Sequence, residues 1–158
     1  MGTILSISKL KKLPQLKFPN QTLVLVGGCF DILHAGHIEF LKKAKEKGDI
    51  LLVLLESDEK IRKIKGNGRP INSQEDRATI LANLSTVDYV YPLEYMEDDE
   101  SYETLVKHIQ PDIIAITEAD RVFDWEERLS EIGIIKIVRV MKRNVDFSTT
   151  KLAQKIKI

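Results

Sequence analysis

The sequence predicts an α/β protein: a single domain built as a three-layer, doubly wound parallel sheet of the Rossmann-like kind. Three observations predict it. Strand-like and helix-like segments alternate, with helices of about ten residues, as parallel strands joined by crossover helices do. Ile50–Leu55 is apolar at every position, which a central strand covered on both faces requires. The 158 residues, 43% hydrophobic and 30% charged, suit one globular domain and leave no room for two.

Residues 1–21 carry a basic stretch with Leu10, Leu13 and Leu16, broken by Pro14 and Pro19. This predicts a short helix and an extended lead-in packed on the domain proper, residues 22–158. Thr22–Val26 is an apolar run ending at Gly27-Gly28, a buried strand entering a tight turn. Gly36–Lys47 reads as a helix in which Ile38, Leu41 and Ala44 recur at three-residue spacing. Its Lys43, Lys45 and Lys47 suit the negative end of the dipole, and Gly48 caps it. Strand Ile50–Leu55 follows. Ser73 then caps a helix, with Asp76 three residues on and Ile80, Leu81 and Leu84 as the inner face. Val87–Tyr91 is a short strand closed by Pro92, Ser101–Gln110 a helix and Asp112–Thr117 a strand. Asp124–Ile132 is a helix and Ile135–Val140 a strand. Ser148 caps a last helix that carries Leu152 and Ile156 on one side.

Composition sets several function classes aside. Lys plus Arg and Asp plus Glu number 24 each, so the net charge is zero and nothing points to nucleic acid or a membrane surface as partner. No apolar run approaches the roughly 18 residues of a membrane span. Met1-Gly2-Thr3-Ile4-Leu5 has no charged leader before a long apolar stretch, so no secretory signal is expected. The single cysteine, Cys29, cannot form an internal disulfide, which agrees with a reducing cytoplasm. The charge is nevertheless uneven. Glu94, Glu97, Asp98, Asp99 and Glu100 form an acidic stretch. Residues 136–158 hold Lys136, Arg139, Lys142, Arg143, Lys151, Lys155 and Lys157 against Asp146 alone, either a solvated face or an anion site. Tyr89 and Tyr91 are either core or an exposed edge covered by a second subunit, which leaves a homodimer open.

In an open parallel sheet the ligand crevice lies beyond the carboxyl ends of the strands, at the switch point. The segment Gly27-Gly28-Cys29-Phe30-Asp31-Ile32-Leu33-His34-Ala35-Gly36-His37 falls there. Two glycines let a backbone approach a phosphate, or they simply make a turn. His34 and His37, three apart at the start of a helix, bring imidazole donors and helix-terminal amides around one anion. Such donors act most strongly on a phosphoryl group gaining charge in a transition state. Zinc would need a third ligand, and His108 belongs to a distant helix, so no metal ligand is assigned. Cys29 has no adjoining base in sequence, and a small buried filler is set against a nucleophile. Gly66-Asn67-Gly68 matches neither a Walker loop nor Gly-x-Gly-x-x-Gly.

Gly28-Cys29-Phe30-Asp31 followed by His34-Ala35-Gly36-His37 resembles the signature of the cytidylyltransferase-like nucleotidyltransferase superfamily. Arg143-Asn144-Val145-Asp146-Phe147-Ser148-Thr149-Thr150 resembles its Arg…Ser-Thr-Thr element. Between them, Lys65-Gly66-Asn67-Gly68-Arg69-Pro70-Ile71-Asn72 and Glu75-Asp76-Arg77 resemble the adenylyltransferase domain of ADP-heptose synthase. The likeness spans roughly residues 22–157. It implies nucleotidyl transfer: AMP passes from ATP, with Mg2+, to a phosphorylated sugar such as heptose 1-phosphate, and pyrophosphate leaves. By the same resemblance His34 and His37 would stabilise the triphosphate, and Gly27, Gly28, Cys29 and Phe30 would line its path. Asp31 would order the loop or help place the metal. Ser148 and Thr149 would bind the β- and γ-phosphates, while Lys65 and Arg143 would neutralise phosphate charge. Asp120 matches the Asp of a Gly-Gly-Asp element, where Glu118-Ala119 replaces the glycines. Arg143 resembles glycerol-3-phosphate cytidylyltransferase instead, so CTP, glycerol 3-phosphate and an FAD-synthetase type of transfer are alternatives. A nucleotide-binding regulatory module without turnover is another. No sugar-kinase segment accompanies the domain, so a stand-alone transferase is expected.

Overall fold

The computed structural model describes residues 1–12, 20–131 and 133–142. In chain order the elements are β1 (Thr3–Ile4), α1 (Ile7–Leu10), β2 (Leu23–Gly28), α2 (Ala35–Lys45), β3 (Ile50–Leu55), α3 (Asp58–Lys65) and α4 (Gln74–Ala82). Then come β4 (Tyr89–Pro92), α5 (Asp99–Ile109), β5 (Ile113–Thr117), α6 (Asp124–Glu131) and β6 (Lys136–Met141). The six strands form one sheet in the order β1-β4-β3-β2-β5-β6, every pair parallel. The doubly wound plan stands.

Alternation along the strands makes two cores. Leu23, Leu25, Leu52, Leu54 and Ile114 face Val106 and Ile109 of α5 and Trp125 and Leu129 of α6. Val24, Val26, Leu51, Val53 and Leu55 face Phe40, Leu41 and Ala44 of α2 and Ala78 and Leu81 of α4. Each of the Val, Leu, Ile and Phe side chains among them, once buried, contributes roughly 1.5–3 kcal/mol of transfer free energy.

Several expectations are corrected. Ile38 is 41% exposed, and the inner stripe of α2 is Phe40, Leu41 and Ala44. At 3.6 residues per turn, three-residue steps drift backwards around the axis. Ile80 is also 41% exposed, because Arg77 and Ala78 take the inner positions of α4 with Leu81 and Ala82. Gly48 is not a left-handed cap: a Cβ there would lie 2.7 Å from Thr22 O and from Val24 Cγ2, so close packing of the turn on β2 demands it. Tyr89 and Tyr91 do not form an open edge. Their strand is paired on both sides, by β1 and β3, and Tyr91 is 5% exposed within the core. Helix α3 escaped the sequence reading, although Ser57 accepts from Lys60 N, Asp58 and Glu59 start it, and Arg62, Lys63 and Lys65 end it. The lead-in contributes β1 and α1, with Leu10 fully buried. Leu13, Pro14, Leu16, Pro19 and the expected last helix lie outside the described residues.

Candidate active site

The chain winds from β2 outward to β3 and β4, then returns across the sheet to place β5 on the other flank of β2. That reversal opens a crevice at the carboxyl ends of β2, β3 and β5. A cavity of about 750 Å³ occupies it, bounded by Gly27, His34, His37, Lys65, Thr117 and Asp120 among others.

The loop leaving β2 is held by internal packing. Phe30 adopts a positive φ of 44° and turns its ring back, so that a Cβ on Gly28 would lie 2.8 Å from Phe30 Cε2. Gly28 therefore admits Phe30, whereas a Cβ on Gly27 would meet nothing within 4 Å and would project into open space at the cavity wall. Asp31 is buried, and its carboxylate accepts from Arg69 Nε at 2.5 Å, Ile71 N at 2.7 Å and Asn72 N at 3.2 Å. Asn72 Nδ2 donates back to Asp31 O at 2.8 Å. Both oxygens of Asp31 are thus committed to the 69–72 loop.

His34 is the N-cap of α2, and its carbonyl accepts from His37 N at 2.9 Å. One turn brings the two imidazoles together: their centroids are 3.8 Å apart and the planes 19° from parallel. Phe30 packs against His37 with centroids 5.2 Å apart. The first amides of a helix have no intrahelical acceptors, so this corner gathers N–H groups at the positive end of a dipole. Lys65, exposed at the end of α3, lies on the same cavity rim.

Behind the loop sits a group whose importance sequence patterning did not reveal. Arg77 is 1% exposed and donates through Nη1 to Cys29 O at 2.5 Å, through Nη2 to Glu56 O at 2.9 Å and Asp58 Oδ1 at 2.6 Å, and through Nε to Asn72 O at 3.1 Å. It binds the β2 loop, the end of β3, the start of α3 and the 69–72 loop into one body. Cys29 is half-buried; burial pushes its thiol pKa up despite Lys65 nearby, which disfavours the thiolate a nucleophile needs.

The far wall is acidic and aromatic. Glu56 follows β3 directly, and Tyr102 OH donates to its two oxygens at 2.9 and 3.1 Å. Burial raises the Glu56 pKa against the lowering effect of that hydrogen bond and of Lys60. Glu126, also buried, accepts from Phe123 N at 2.9 Å and is likewise raised by burial. Asp120 accepts from Thr117 N at 2.7 Å in the turn after β5. The readable signal for Glu56 was position: a charged residue directly after an all-apolar parallel strand stands where ligands bind. Glu126 and Tyr102 gave no comparable signal. Arg143, Ser148 and Thr149 lie outside the described residues.

The fold and this corner define a class, and the chain belongs to the cytidylyltransferase-like family, whose model matches residues 25–155. It is a nucleotidyltransferase domain. It is 40% identical over 152 residues to the bifunctional protein HldE of Wolinella succinogenes, covering 96% of this chain and 30% of that protein. To the bifunctional protein HldE of Helicobacter pylori strain HPAG1 it is 42% identical over 154 residues, 98% of this chain and 31% of that one. The chain thus spans less than a third of the length of these relatives. The crystal structure of the lipopolysaccharide core biosynthesis protein from Thermoplasma volcanium GSS1 superposes with a TM-score of 0.64 and 32% identity, over 79% of this chain and 100% of that one.

Proposed function

We propose that this chain transfers AMP from ATP to a phosphorylated sugar such as heptose 1-phosphate, releasing pyrophosphate. One observation carries the reading: the stacked His34 and His37 imidazoles at the amino end of α2, facing a cavity that Lys65 also borders. An oxygen of the sugar phosphate attacks the α-phosphorus, a new P–O bond forms, and the bond to the β-phosphate bridge breaks. Charge grows on the phosphoryl oxygens and the leaving pyrophosphate, and fixed N–H donors stabilise it there. In this reading His34 and His37 hold the triphosphate, Gly27 leaves room for it, and Gly28, Cys29 and Phe30 shape its path. Lys65 and Arg143 neutralise phosphate charge, Ser148 and Thr149 bind the β- and γ-phosphates, and Asp120 meets the nucleotide from the opposite wall.

Magnesium enters as the counter-ion of the triphosphate substrate. No group of three His, Cys, Asp or Glu side chains suited to a metal occurs among the described residues, and Asp31 is occupied by Arg69 and two amides. An ion that keeps its waters and takes phosphate oxygens needs no protein cage. The sugar half of the reading is supported by the likeness of Lys65–Asn72 to ADP-heptose synthase and by the lipopolysaccharide relative. No helix among the described residues is long and apolar enough to cross a membrane. We assign the reaction to the cytoplasm, where nucleoside triphosphates are supplied.

A pyrophosphate-release screen tests the reading, crossing ATP and CTP with heptose 1-phosphate, glycerol 3-phosphate and FMN. Release with ATP and the heptose phosphate is expected, and silence across all pairs would overturn it. Homodimer formation is tested separately by light scattering, where a mass near 18 kDa marks a monomer.

A further inference from the structure

We infer that Arg139 is a positioning residue: from β6 it holds the turn after β5 in the shape that keeps Thr117 and Asp120 on the cavity wall. Its Nη1 donates to Thr117 O at 2.9 Å, Glu118 O at 3.0 Å and Asp120 O at 3.2 Å. Carbonyl dipoles that converge in this way repel one another, and a shared cation makes the convergence stable. The strand is built to deliver that cation. Pairing between β5 and β6 runs Ile116↔Arg139 and then Thr117↔Met141, so the ladder skips Val140. A bulge of this kind bends the strand and re-aims the side chain beside it.

Within the turn, Thr117 N donates to Asp120 Oδ2 at 2.7 Å and Asp120 N reaches Thr117 O at 3.3 Å, while Glu118 N reaches Met141 O at 2.9 Å. None of these takes up the Glu118 or Asp120 carbonyl, which Arg139 does. Arg139 itself is not among the residues facing the cavity, whereas Thr117 and Asp120 are. Thr117 Oγ1 is buried and has no hydrogen-bond partner among the described residues. A bare hydroxyl beside a carboxylate suits a ligand group that both donates and accepts, such as a sugar hydroxyl. The clamp also explains how Glu118-Ala119 can stand where the resemblance expects two glycines. Neither residue has a positive φ, so the turn needs no glycine, and Arg139 closes it from outside.

The inference rests on the transferase reading for its consequence but not for its contact, and the experiment separates the two. Arg139→Ala, Arg139→Lys and Asp120→Asn are compared by amide hydrogen exchange over residues 117–121 and by equilibrium titration with MgATP. Arg139→Ala should speed exchange in that turn by about tenfold while α2 and β3 keep their rates, and should weaken MgATP by a similar factor. Arg139→Lys, whose ammonium can still serve carbonyls, should recover part of both effects. In the Arg139→Ala background, Asp120→Asn should cost much less than in the parent, since both act through one turn. Unchanged exchange overturns the inference whichever way the pyrophosphate screen ends. Strictly additive losses also overturn it, because they mark direct contact between Arg139 and substrate. Faster exchange in a protein that neither binds MgATP nor releases pyrophosphate would leave the clamp standing and remove the transferase reading.

Discussion

Replacing Arg77 by alanine removes a guanidinium that is 1% exposed and donates to Cys29 O, Glu56 O, Asn72 O and Asp58 Oδ1. Breaking a buried ion pair by deleting one partner costs about 3–5 kcal/mol. Here the Asp58 side chain is 32% exposed and can rehydrate, which lowers the charge part. Three backbone carbonyls would lose their donor in compensation, each at up to roughly 1–3 kcal/mol where water cannot enter. We expect a net loss of about 3–4 kcal/mol, set against a typical total of about 5–15. At roughly 2–4 °C per kcal/mol for a domain of this length, Tm should fall by about 6–16 °C. Arg77→Lys keeps the charge but cannot span the fork, and should lose about 2 kcal/mol. Asp58→Asn retains an acceptor oxygen and should lose under about 1 kcal/mol. Urea titration followed by circular dichroism reads all three. A loss below about 1 kcal/mol for Arg77→Ala would show that the fork does not hold the site loops together.

Gly27→Ala should fold with stability within about 0.5 kcal/mol of the parent, because its Cβ meets nothing, yet raise KM for the triphosphate. Gly28→Ala should instead lose stability by about 1–3 kcal/mol as Phe30 is pushed aside, and equal melting of the two variants would refute the distinction. His37→Ala should lower kcat by about 10²–10³ with a smaller change in nucleotide affinity, and a variant of normal fold with normal kcat would remove His37 from the mechanism. Glu126 carries a pKa raised by burial, so the native state binds its proton more tightly than the unfolded chain does. Its contribution to stability is therefore complete below the ordinary value of 4.5 and is lost as pH rises through the raised one. Glu126→Gln keeps an acceptor for Phe123 N and should flatten that loss in a pH series of denaturation midpoints. An unchanged pH slope counts against it.

The strands were legible because burial on both faces leaves continuous apolar runs, and Ile50–Leu55 matched to the residue. The His34–His37 corner was legible because its geometry is local: three residues within one helical turn bring the rings together. What stayed hidden was non-local or polar. Helix α3 offers only Ile61 as a buried residue, so hydrophobic periodicity passed over it while its caps announced it. Ile38 and Ile80 are each 41% exposed, so apolar character alone does not fix which face of a helix a residue occupies. Arg77 sits inside because of partners 5 to 48 residues away, which no window along the chain can see.

A parallel sheet gives its active site an electrostatic problem. All six strands are parallel and end on one side, so their last carbonyls point toward the rim where the proposed function puts a polyanionic triphosphate. Helix amino termini supply positive potential there, and α2 does so with His34 and His37. That alone leaves the carbonyls facing one another. Arg77 takes Cys29 O and Glu56 O beyond β2 and β3, and Arg139 takes Thr117 O and Glu118 O beyond β5. Each of these two arginines comes from an element outside the strands it serves, and neither is among the residues lining the cavity. Under the proposed function, phosphate charge is then left to a separate cation, Lys65, at the exposed end of α3. This division predicts opposite signatures for the two kinds of cation. Lys65→Ala should depress transfer while leaving Tm nearly unchanged, and Arg77→Ala should lower Tm first, with activity in the surviving folded fraction reduced less. If Lys65→Ala instead melted the protein and Arg77→Ala spared it, structural and chemical charge would have been assigned the wrong way round.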